Sequence, residues 1–407
     1  MTPEGANFNL MRHTIGSSDL SAAPAYTYAD NGGKPDPNLD SFDLGDRGRR
    51  MAAMLGEMKR MQPSMVLVGT PWAPPAWMQR QENVSSVLKN TLDPQYYTQF
   101  ANYLIKYLTA YKDEGVEVNA ITIQNEPVRN EPGTPSLFVS EDEASRLIRD
   151  SIAPAIKSSG LGTPIWIGDQ NTDQIQYARS VLIGNGAAPL AAVAWHCYAP
   201  GENWTALSAF KRTVPGILQY MTECWTSELY TKWNQASWFT IGPLRNWASG
   251  SIARALGTFS AKGPRLGLKG SCEACTGLFT VDAESGTFEL RPDFFMMAQY
   301  SRFLPRGARI LRDSGSSMDG DDESGIESVA ALLSDRRRVV VVENRFSQRM
   351  KVVLTTRSGQ VWTGHVTPRS VTTWLLPSRQ ERGSAAAVQP PFALLFALVI
   401  GVAVCLV

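Results

Sequence analysis

Short apolar runs alternate with helix-like segments from residue 8 to about residue 260, and this alternation constrains the fold more than any other feature. The strand-like runs are FNLMRHTI (8–15), SMVLVGTPW (64–72), EVNAITIQNEP (117–127), TPIWIGDQN (163–171), AAVAWHCY (191–198) and GILQYMTECW (216–225). Short runs rich in Val and Ile that end in polar residues are typical of parallel strands buried on both faces. The pattern predicts an α/β fold, a (β/α)₈ barrel, with the polar strand ends on one face.

Helix signals lie between these runs. Asp93-Pro94 is an N-cap followed by a proline at the first helical position, and apolar residues recur at helical spacing from Tyr97 to Leu108. Ser140 and Glu143 have the spacing of a capping box. Both segments are therefore predicted to be helices that cover the strands.

The pattern changes at about residue 308. The runs ESVAALLS, RRVVVVENR, MKVVLTTR and VTTWLLP are short and joined by polar turns, which is typical of a small antiparallel β-domain. The predicted organisation is a catalytic barrel at 1–307, a β side domain at 308–379, a polar linker at 380–391 and a hydrophobic C-terminal tail at 392–407.

Two predicted strands end in an acid, Glu126 in TIQNEP and Glu223 in YMTECW. They lie three βα units apart, so both side chains are expected at the same mouth of the barrel. Opposed carboxylates suit glycoside hydrolysis, and in retaining enzymes they lie about 5–5.5 Å apart. We predict Glu126 as acid/base, beside Asn125, and Glu223 as an ionised nucleophile held by Arg12 and Tyr198. The structural alternative for either acid is an ion pair at a strand end.

Several longer runs make the chain resemble glycoside hydrolase family 30, the group of lysosomal glucosylceramidase and fungal endo-β-1,6-glucanases. The matching runs are FNLMRHTIGSSDLS, YTYAD (26–30), GTPWAPPAWM (69–78), TIQNEP, AWHCY (194–198), TEC (222–224) and QYSRFLPRGA (299–308). The resemblance implies a retaining β-glycosidase on a (β/α)₈ barrel with a β side domain. It also implies Glu126 as acid/base and Glu223 as nucleophile.

The resemblance further implies a set of substrate-binding residues. Arg12 is expected near the nucleophile, and Asp30, Trp72 and Asn125 are expected to line the subsite for the non-reducing sugar. His196 and Tyr198 match a pair beside the acids. Alternatively, His196 is a core histidine and Trp72 packs inside the barrel.

The insert GPRLGLKGSCEACTGLFTVD (263–282) resembles the β-1,6-glucanase branch most closely. The leading hypothesis is therefore an endo-β-1,6-glucanase. The alternatives are a glucosylceramide β-glucosidase acting on a glucosyl lipid, and a non-catalytic carbohydrate-binding surface protein. Glucosylceramidase carries a Trp-Asn pair at the mouth of its last strand, whereas this stretch reads SIARALGTFSAKGP (251–264). Phe259 or Trp225 is expected to supply that wall instead.

Composition excludes other classes of function. A net charge of +1 and the lack of a basic stripe give no reason to expect a nucleic-acid partner. Three His and five Cys leave little for a metal site, and we expect neither a metal nor an organic cofactor. Cys272 and Cys275 are predicted to form a small loop disulfide, and Cys197 and Cys224 to be buried thiols. Asn83 and Asn203 head N-glycosylation sequons.

The two ends of the sequence differ in character. The start has no apolar leader, and the family's Gly-rich first strand would precede FNLMR, so we expect an N-terminal segment upstream of this sequence. Residues 392–407 are uncharged and follow small residues and a spacer, as in a signal for a GPI anchor; a tail-anchored membrane helix is the alternative. The expected location is secreted, at the cell surface or in the cell wall.

Overall fold

The computed structural model describes residues 1–2, 4–129, 134–186, 188–201, 203–227, 232–259, 275–311, 324–356 and 359–378. Seven strands in these residues form a parallel sheet whose spatial order follows the chain. They are β1 (Leu10–Ile15), β2 (Val66–Pro71), β3 (Ala120–Thr122), β4 (Ile165–Asn171), β5 (Leu190–His196), β6 (Leu218–Cys224) and β7 (Ser251–Ala253). Parallel pairing in chain order requires a crossover after each strand, which the helices supply.

The α-helices of the described residues are α1 (Gly45–Met61), α2 (Tyr97–Asp113), α3 (Glu141–Leu147), α4 (Ala153–Ser159), α5 (Ile175–Ile183), α6 (Thr205–Thr213), α7 (Gln235–Arg245) and α8 (Pro292–Ser301). A π-helical turn, Ile148–Ile152, joins α3 to α4. Ser140 and Glu143 form the predicted capping box at the start of α3. Asp93 caps a 3₁₀ turn, Pro94–Tyr96, that leads into α2.

A small apolar layer fills the barrel interior on the side away from the carboxyl ends of the strands. Val68, Ala120, Trp166 and Ala192 form its buried part, and the Trp166 ring stacks on Tyr220 with centroids 4.3 Å apart. A packed layer of this kind closes the barrel below, so that side chains at the carboxyl ends face an open mouth.

Alternation along β1 separates the mouth from the helical shell. Arg12 points inward, whereas the neighbouring His13 packs against α2 and lies 2.6 Å (Nε2) from the Tyr107 hydroxyl oxygen. Burial lowers the pKa of His13 to about 3, so this ring is neutral. The side chains of a strand alternate between the two faces of the sheet, so Arg12 and His13 point to opposite sides of β1.

The C-terminal part forms an antiparallel sheet beside the barrel. Its strands are β8 (Arg309–Leu311), β9 (Ile326–Leu332), β10 (Arg338–Asn344) and β13 (Ser370–Leu376), and the hairpin β11 (Met350–Thr355) and β12 (Val361–Val366) lies next to it. One face of β10 packs into the main core through Val339 and Val341. The other face contributes Val340 and Val342 to a separate cluster under the hairpin.

Three smaller sheets are formed by segments that follow barrel strands in the chain. They are the hairpin Gln79–Val84 with Val87–Leu92, the pair Thr226–Ser227 with Cys275–Thr276, and the three-stranded set Gly257–Phe259, Phe279–Val281 and Phe288–Leu290. The second and third lie after β6 and β7, so they extend the wall of the mouth.

The predicted barrel with an antiparallel side sheet is confirmed. Each of the six strand-like runs overlaps one of the strands β1–β6, although β3 is much shorter than its run. The strands β8 and β12 were not predicted. Among the described residues, no helix is both long and apolar enough to span a bilayer. The predicted linker at 380–391 and the tail at 392–407 fall outside the described residues.

Candidate active site

The carboxyl ends of the barrel strands bring a set of charged side chains together. The segment that carries Asn125 and Glu126 is fixed from both sides, because the Asn125 N–H donates to the Pro71 carbonyl and the Glu126 N–H donates to the Asp169 carbonyl, both at 2.9 Å. Glu126 has a φ of 44°. Left-handed backbone at a non-glycine residue costs about 1–3 kcal/mol and is concentrated at functional sites.

Glu223 is held by two hydrogen-bond donors and by a further cation. Arg12 Nη1 lies 2.8 Å from Oε2, the Tyr198 hydroxyl donates to Oε1 at 3.0 Å, and Arg254 Nε lies 3.6 Å from Oε1. The residue is 3% exposed. Burial disfavours the charged form, but Arg254, His196 and Arg12 outweigh it and hold the pKa of Glu223 well below its usual range. Glu223 is therefore an ionised carboxylate near neutral pH.

Glu126 contacts a histidine and an arginine. Its Oε1 lies 3.3 Å from His196 Nδ1, and its Oε2 lies 3.3 Å from Arg129 Nη1. The side chain is more exposed than that of Glu223, at 12% against 4%. Glu126 is thus the more accessible of the two acids.

Asp169 connects the two sides of the mouth. Its carboxylate accepts hydrogen bonds from Arg12 at 2.8 Å, from Thr122 at 2.8 Å and from Thr222 at 2.9 Å. It also lies 3.0 Å from His196 Nε2. The residue is fully buried, yet Arg12 and His196 overcome the burial penalty and lower the pKa of Asp169 strongly.

A β-bulge places Asp169 at this point. The register between β4 and β5 shifts between Gly168 and Gln170, and Asp169 adopts a φ of 53°. The preceding Gly168 has a φ of 84°, and a Cβ there would lie 2.9 Å from the Ala194 carbonyl oxygen. The bulge therefore requires glycine at 168 and turns the next side chain into the barrel.

His196 is a buried cation between the acids. Burial opposes its charged form, but the Glu223 charge and the hydrogen bonds with Asp169 and Glu126 raise the pKa of His196 to about 9. Both ring nitrogens then carry protons, so Nδ1 donates to Glu126 and Nε2 donates to Asp169. The single ring links the two glutamates electrostatically, because it contacts one and responds to the charge of the other.

Arg12 organises the other half of the mouth. Besides Glu223 and Asp169, its guanidinium donates to Asn125 Oδ1 at 2.7 Å and to Thr70 Oγ1 at 3.1 Å. Its central carbon lies 4.7 Å from the centre of the Trp72 ring. Arg12 therefore fixes Asn125 and Trp72 relative to Glu223, as a rigid planar fork can.

A cavity of about 400 Å³ opens beside Glu223. Its polar wall includes Arg12, Asp19 and Arg254, and Trp72 and Phe259 are among its aromatic residues. The volume falls within the range of small-ligand sites. Phe259 is thus one of the residues lining the mouth after β7, as expected for that wall.

The structure brings together most of the predicted site residues, namely Glu126, Glu223, Arg12, Trp72, Asn125, His196 and Tyr198. Asp30 does not join them: it is exposed, and its carboxylate accepts hydrogen bonds from the Thr27 N–H at 2.9 Å and the Thr27 hydroxyl at 2.6 Å. The carboxylate that does lie in the cavity wall after β1 is Asp19.

Asp19, Asp169 and Arg254 were not predicted as site residues. A signal existed for Asp169, which stands at the polar end of the run TPIWIGDQN beside a glycine. No comparable signal marks Arg254 or Asp19, because each acquires its role from a partner that is distant in the sequence.

The prediction that Cys197 and Cys224 are free thiols is wrong. They form a disulfide with Cα atoms 5.4 Å apart. Cys197 follows His196, and Cys224 follows Glu223. His196 and Glu223 are partners on the neighbouring strands β5 and β6, so the pairing of the strands brings the two cysteines together. Cys275 is also disulfide-bonded, while Cys272 lies outside the described residues. Within the described ranges, no cluster of three or more His, Cys, Asp or Glu side chains has the arrangement of a metal site.

Comparison with known proteins agrees with this architecture. An endo-1,6-β-D-glucanase of Neurospora crassa is 49% identical over 381 residues, which cover 93% of this chain and 79% of that protein. An endo-1,6-β-D-glucanase of Aspergillus fumigatus is 49% identical over 390 residues, with the same coverage of both chains. The mouse lysosomal acid glucosylceramidase is more distant, at 24% identity over 376 residues, covering 86% of this chain and 70% of that protein.

Solved structures show the same fold. The structure of an endo-β-1,6-glucanase superposes with a TM-score of 0.81 at 24% sequence identity and covers 93% of this chain and 85% of its own. The model of the glycosyl hydrolase family 30 TIM-barrel domain matches residues 1–304. This chain therefore belongs to glycosyl hydrolase family 30.

Proposed function

We propose that this protein is a retaining endo-β-1,6-glucanase in which Glu223 is the nucleophile and Glu126 is the acid/base. The observation that carries the proposal is the convergence of the two glutamates on His196, in a chain 49% identical to two fungal endo-1,6-β-D-glucanases. Their unequal surroundings support different roles, because two acids in different environments can divide the work of a double displacement.

In the first step, a carboxylate oxygen of Glu223 attacks the anomeric carbon of a bound glucosyl unit. The bond from that carbon to the glycosidic oxygen breaks, and the oxygen leaves with a proton from the carboxylic acid form of Glu126. Arg12, Tyr198 and Arg254 hold Glu223 ionised and immobile for the attack. The product of this step is a glucosyl ester of Glu223.

In the second step, Glu126 is a carboxylate and accepts a proton from a water molecule. The water oxygen attacks the anomeric carbon, and the ester bond breaks with its electron pair returning to Glu223. Inversion occurs twice, so the β-configuration is retained. The two steps use only side chains of this chain and one water.

The substrate contacts in this proposal are Asn125, Trp72, His196 and Tyr198, with Arg12 fixing their positions. Asn125 Nδ2 is directed by the bond of its Oδ1 to Arg12, so its amide is available as a donor to the sugar 2-hydroxyl. Trp72 offers a flat apolar face of the kind that packs against pyranose rings. Asp30 has no part in this scheme, because its carboxylate is exposed and bonded within its own turn.

A secreted or wall-bound location is part of the same proposal. The Cys197–Cys224 disulfide is typical of oxidising compartments. The sequon residues Asn83 and Asn203 are exposed, which suits glycosylation. Attachment to a membrane by a GPI anchor that replaces residues 392–407 is a further element of the proposal. Its test is release of the protein from cell membranes by a GPI-specific phospholipase.

The proposal is tested with pustulan, a β-1,6-glucan, and glucosylceramide as parallel substrates. We expect short β-1,6-linked oligosaccharides from pustulan from the start of the reaction, as endo cleavage requires. Hydrolysis of glucosylceramide without hydrolysis of pustulan would instead favour the glucosylceramidase alternative. Binding of pustulan without hydrolysis would favour a carbohydrate-binding surface protein.

Azide rescue separates the roles of the two acids. With an activated aryl β-gentiobioside, Glu223→Ala plus azide should release the α-glycosyl azide, because azide takes the place of the nucleophile. Glu126→Ala plus azide should release the β-glycosyl azide, because azide takes the place of water. Exchanged stereochemistry would reverse the assignment. Glu327→Ala, in a half-buried ion pair with Arg245, is the matched control and should give no azide product.

A further inference from the structure

Arg254 lies at the end of β7 and pairs with two acids. It forms an ion pair with Asp19, and its Nε lies 3.6 Å from Glu223 Oε1. Its backbone N–H donates to the Cys224 carbonyl at 2.6 Å, next to the nucleophile in the chain. The side chains of Arg254 and Asp19 are 12% and 14% exposed, so little water screens these charges.

Asp19 holds Arg254 independently of Glu223. It belongs to the segment after β1, and both residues line the cavity at the mouth. A guanidinium keeps its charge throughout the accessible pH range, and its planar fork can bind two carboxylates at once. Arg254 is therefore expected to keep its place when Glu223 loses its negative charge.

The charge of Glu223 changes twice in a double displacement. It disappears when the glucosyl ester forms, and it reappears as the ester bond breaks and the electron pair returns to the carboxylate. A fixed cation beside Glu223 weakens it as an attacking group and improves it as a leaving group. Such preorganised charge acts where the transition state develops charge.

We propose that Arg254, anchored by Asp19, is a positioning residue that speeds the breakdown of the glycosyl-enzyme by stabilising the departing Glu223 carboxylate. This inference rests on the proposed function. Other charged and titratable groups also face Glu223, namely Arg12 from β1, Asp169 from β4, His196 from β5 and Tyr198 after β5. Asp19, after β1, pairs with Arg254 and lines the same cavity. Arg12 bonds Oε2, whereas Arg254 lies against Oε1, so the two arginines are separable by mutation.

The first test is pre-steady-state hydrolysis of 2,4-dinitrophenyl β-gentiobioside, whose leaving group needs no proton from Glu126. We expect Arg254→Gln to slow the steady-state release by about tenfold or more relative to the initial burst. The burst itself should keep its rate or become faster. Arg254→Lys retains the charge and should keep most of the wild-type ratio of burst to steady-state rates.

The second test isolates the attack by Glu223. Inactivation by a cyclophellitol-type label needs the ionised carboxylate but no deglycosylation. Of the charges that lower the pKa of Glu223, that of Arg254 has the largest effect. The acid limb of the inactivation profile should therefore move to higher pH by about one unit in Arg254→Gln. In Asp19→Asn, where Arg254 keeps its charge, the limb should stay near its wild-type position.

The outcomes separate the inference from the function on which it rests. If Arg254→Gln slows burst and steady state by the same factor and leaves the acid limb in place, Arg254 is merely structural and the inference is overturned. If the wild-type protein releases no dinitrophenolate from the gentiobioside, the proposed function and the inference are overturned together. If Arg254→Gln does not fold, as judged by circular dichroism, an Arg254→Lys enzyme with a strongly raised ratio of burst to steady-state rates would still contradict it.

Discussion

Glu223 at the barrel mouth and Glu343 in the side sheet are both buried, yet their surroundings shift their pKa values in opposite directions. Three cationic side chains lower the pKa of Glu223. Glu343 instead accepts a hydrogen bond from Asn234 at 2.7 Å and lies near a second acid, Glu327. Burial raises the pKa of Glu343 to about 7, and the bonds from Ser237 and Asn234 offset this only in part.

The difference shows that burial alone does not determine the charge of an acid. At the mouth, Arg12, Arg254 and His196 make a charged Glu223 tolerable, and the carboxylate is ready to react. At the interface between α7 and the side sheet, the neighbours are mostly neutral donors, so the carboxyl of Glu343 is favoured as an uncharged acid. The first arrangement serves chemistry and the second serves packing between two layers.

The largest expected effect comes from neutralising the two acids in turn. Glu223→Gln should reduce hydrolysis of pustulan by about 10⁴-fold or more, because it removes the nucleophile. Glu343→Gln should leave hydrolysis near the wild-type rate. Initial rates with purified variants check this. An active Glu223→Gln enzyme would show that Glu223 is not the nucleophile.

A smaller effect is expected at Asp169, which supports the mouth without touching substrate. Asp169→Asn should lower kcat by about 10–100-fold, as loss of a residue that orients reacting groups does. It should also lower the free energy of unfolding by about 3 kcal/mol, because it leaves Arg12 and His196 without their shared buried partner. Steady-state kinetics and urea denaturation measure the two effects. Unchanged kcat would contradict the orienting role.

The two glutamates also predict opposite dependences of stability on pH. The folded pKa of Glu343 is about 7 against 4.5 for the ordinary group, so its contribution is fully present below about pH 4.5 and is lost as the pH rises through about 7. The folded pKa of Glu223 lies below 4.5, so its contribution is present above that pH and is lost as the pH falls. His196, raised from 6.5 to about 9, contributes fully below pH 6.5 and loses this as the pH rises through 9.

Glu343→Gln should therefore remove most of the fall in stability between pH 4.5 and pH 7, on the order of 3 kcal/mol. Urea denaturation of wild type and variant at pH 4.5 and pH 8 checks this. The exposed Glu57→Gln is a suitable control and should leave the pH dependence unchanged. A Glu343→Gln variant that is destabilised equally at both pH values would show that the carboxyl is charged throughout.

The smallest expected effect follows from removing one donor to Asp169. Thr122→Val deletes the bond of 2.8 Å and should lower the free energy of unfolding by about 1 kcal/mol, with a reduction of kcat by a small factor. Thr240→Val, which deletes a bond to the Ala236 carbonyl inside α7, should cost similar stability without affecting kcat. If both variants changed kcat equally, the hydrogen bond from Thr122 to Asp169 would have no specific effect on the reaction.

Much of the barrel and of the acid pair could be predicted from the sequence, for local reasons. The apolar runs are short and end in polar residues, so β1–β6 were located within a few residues. The acids Glu126 and Glu223 stand at strand ends, where periodicity alone assigns them to the mouth. Arg12 was expected near the nucleophile from the resemblance to the family, and the structure places His13 on the opposite face of β1.

The remaining features depend on contacts between distant parts of the chain. Asp169 enters the mouth through a bulge at 168–170, which periodicity cannot reveal. The pair of Arg254 with Asp19 joins the two ends of the barrel sheet. The disulfide of Cys197 with Cys224 depends on the pairing of β5 with β6 rather than on the spacing of the cysteines. Asp30 belongs to a motif of the family, but its backbone turn directs it to solvent.

The residue that carries the covalent intermediate identifies the nucleophile. The enzyme is treated with a 2-deoxy-2-fluoro gentiobiosyl fluoride, which forms the ester but hydrolyses slowly, and is then digested and sequenced by mass spectrometry. We expect one added glycosyl group per molecule, on the carboxylate of Glu223. Attachment to Glu126, or to any other residue, would contradict it.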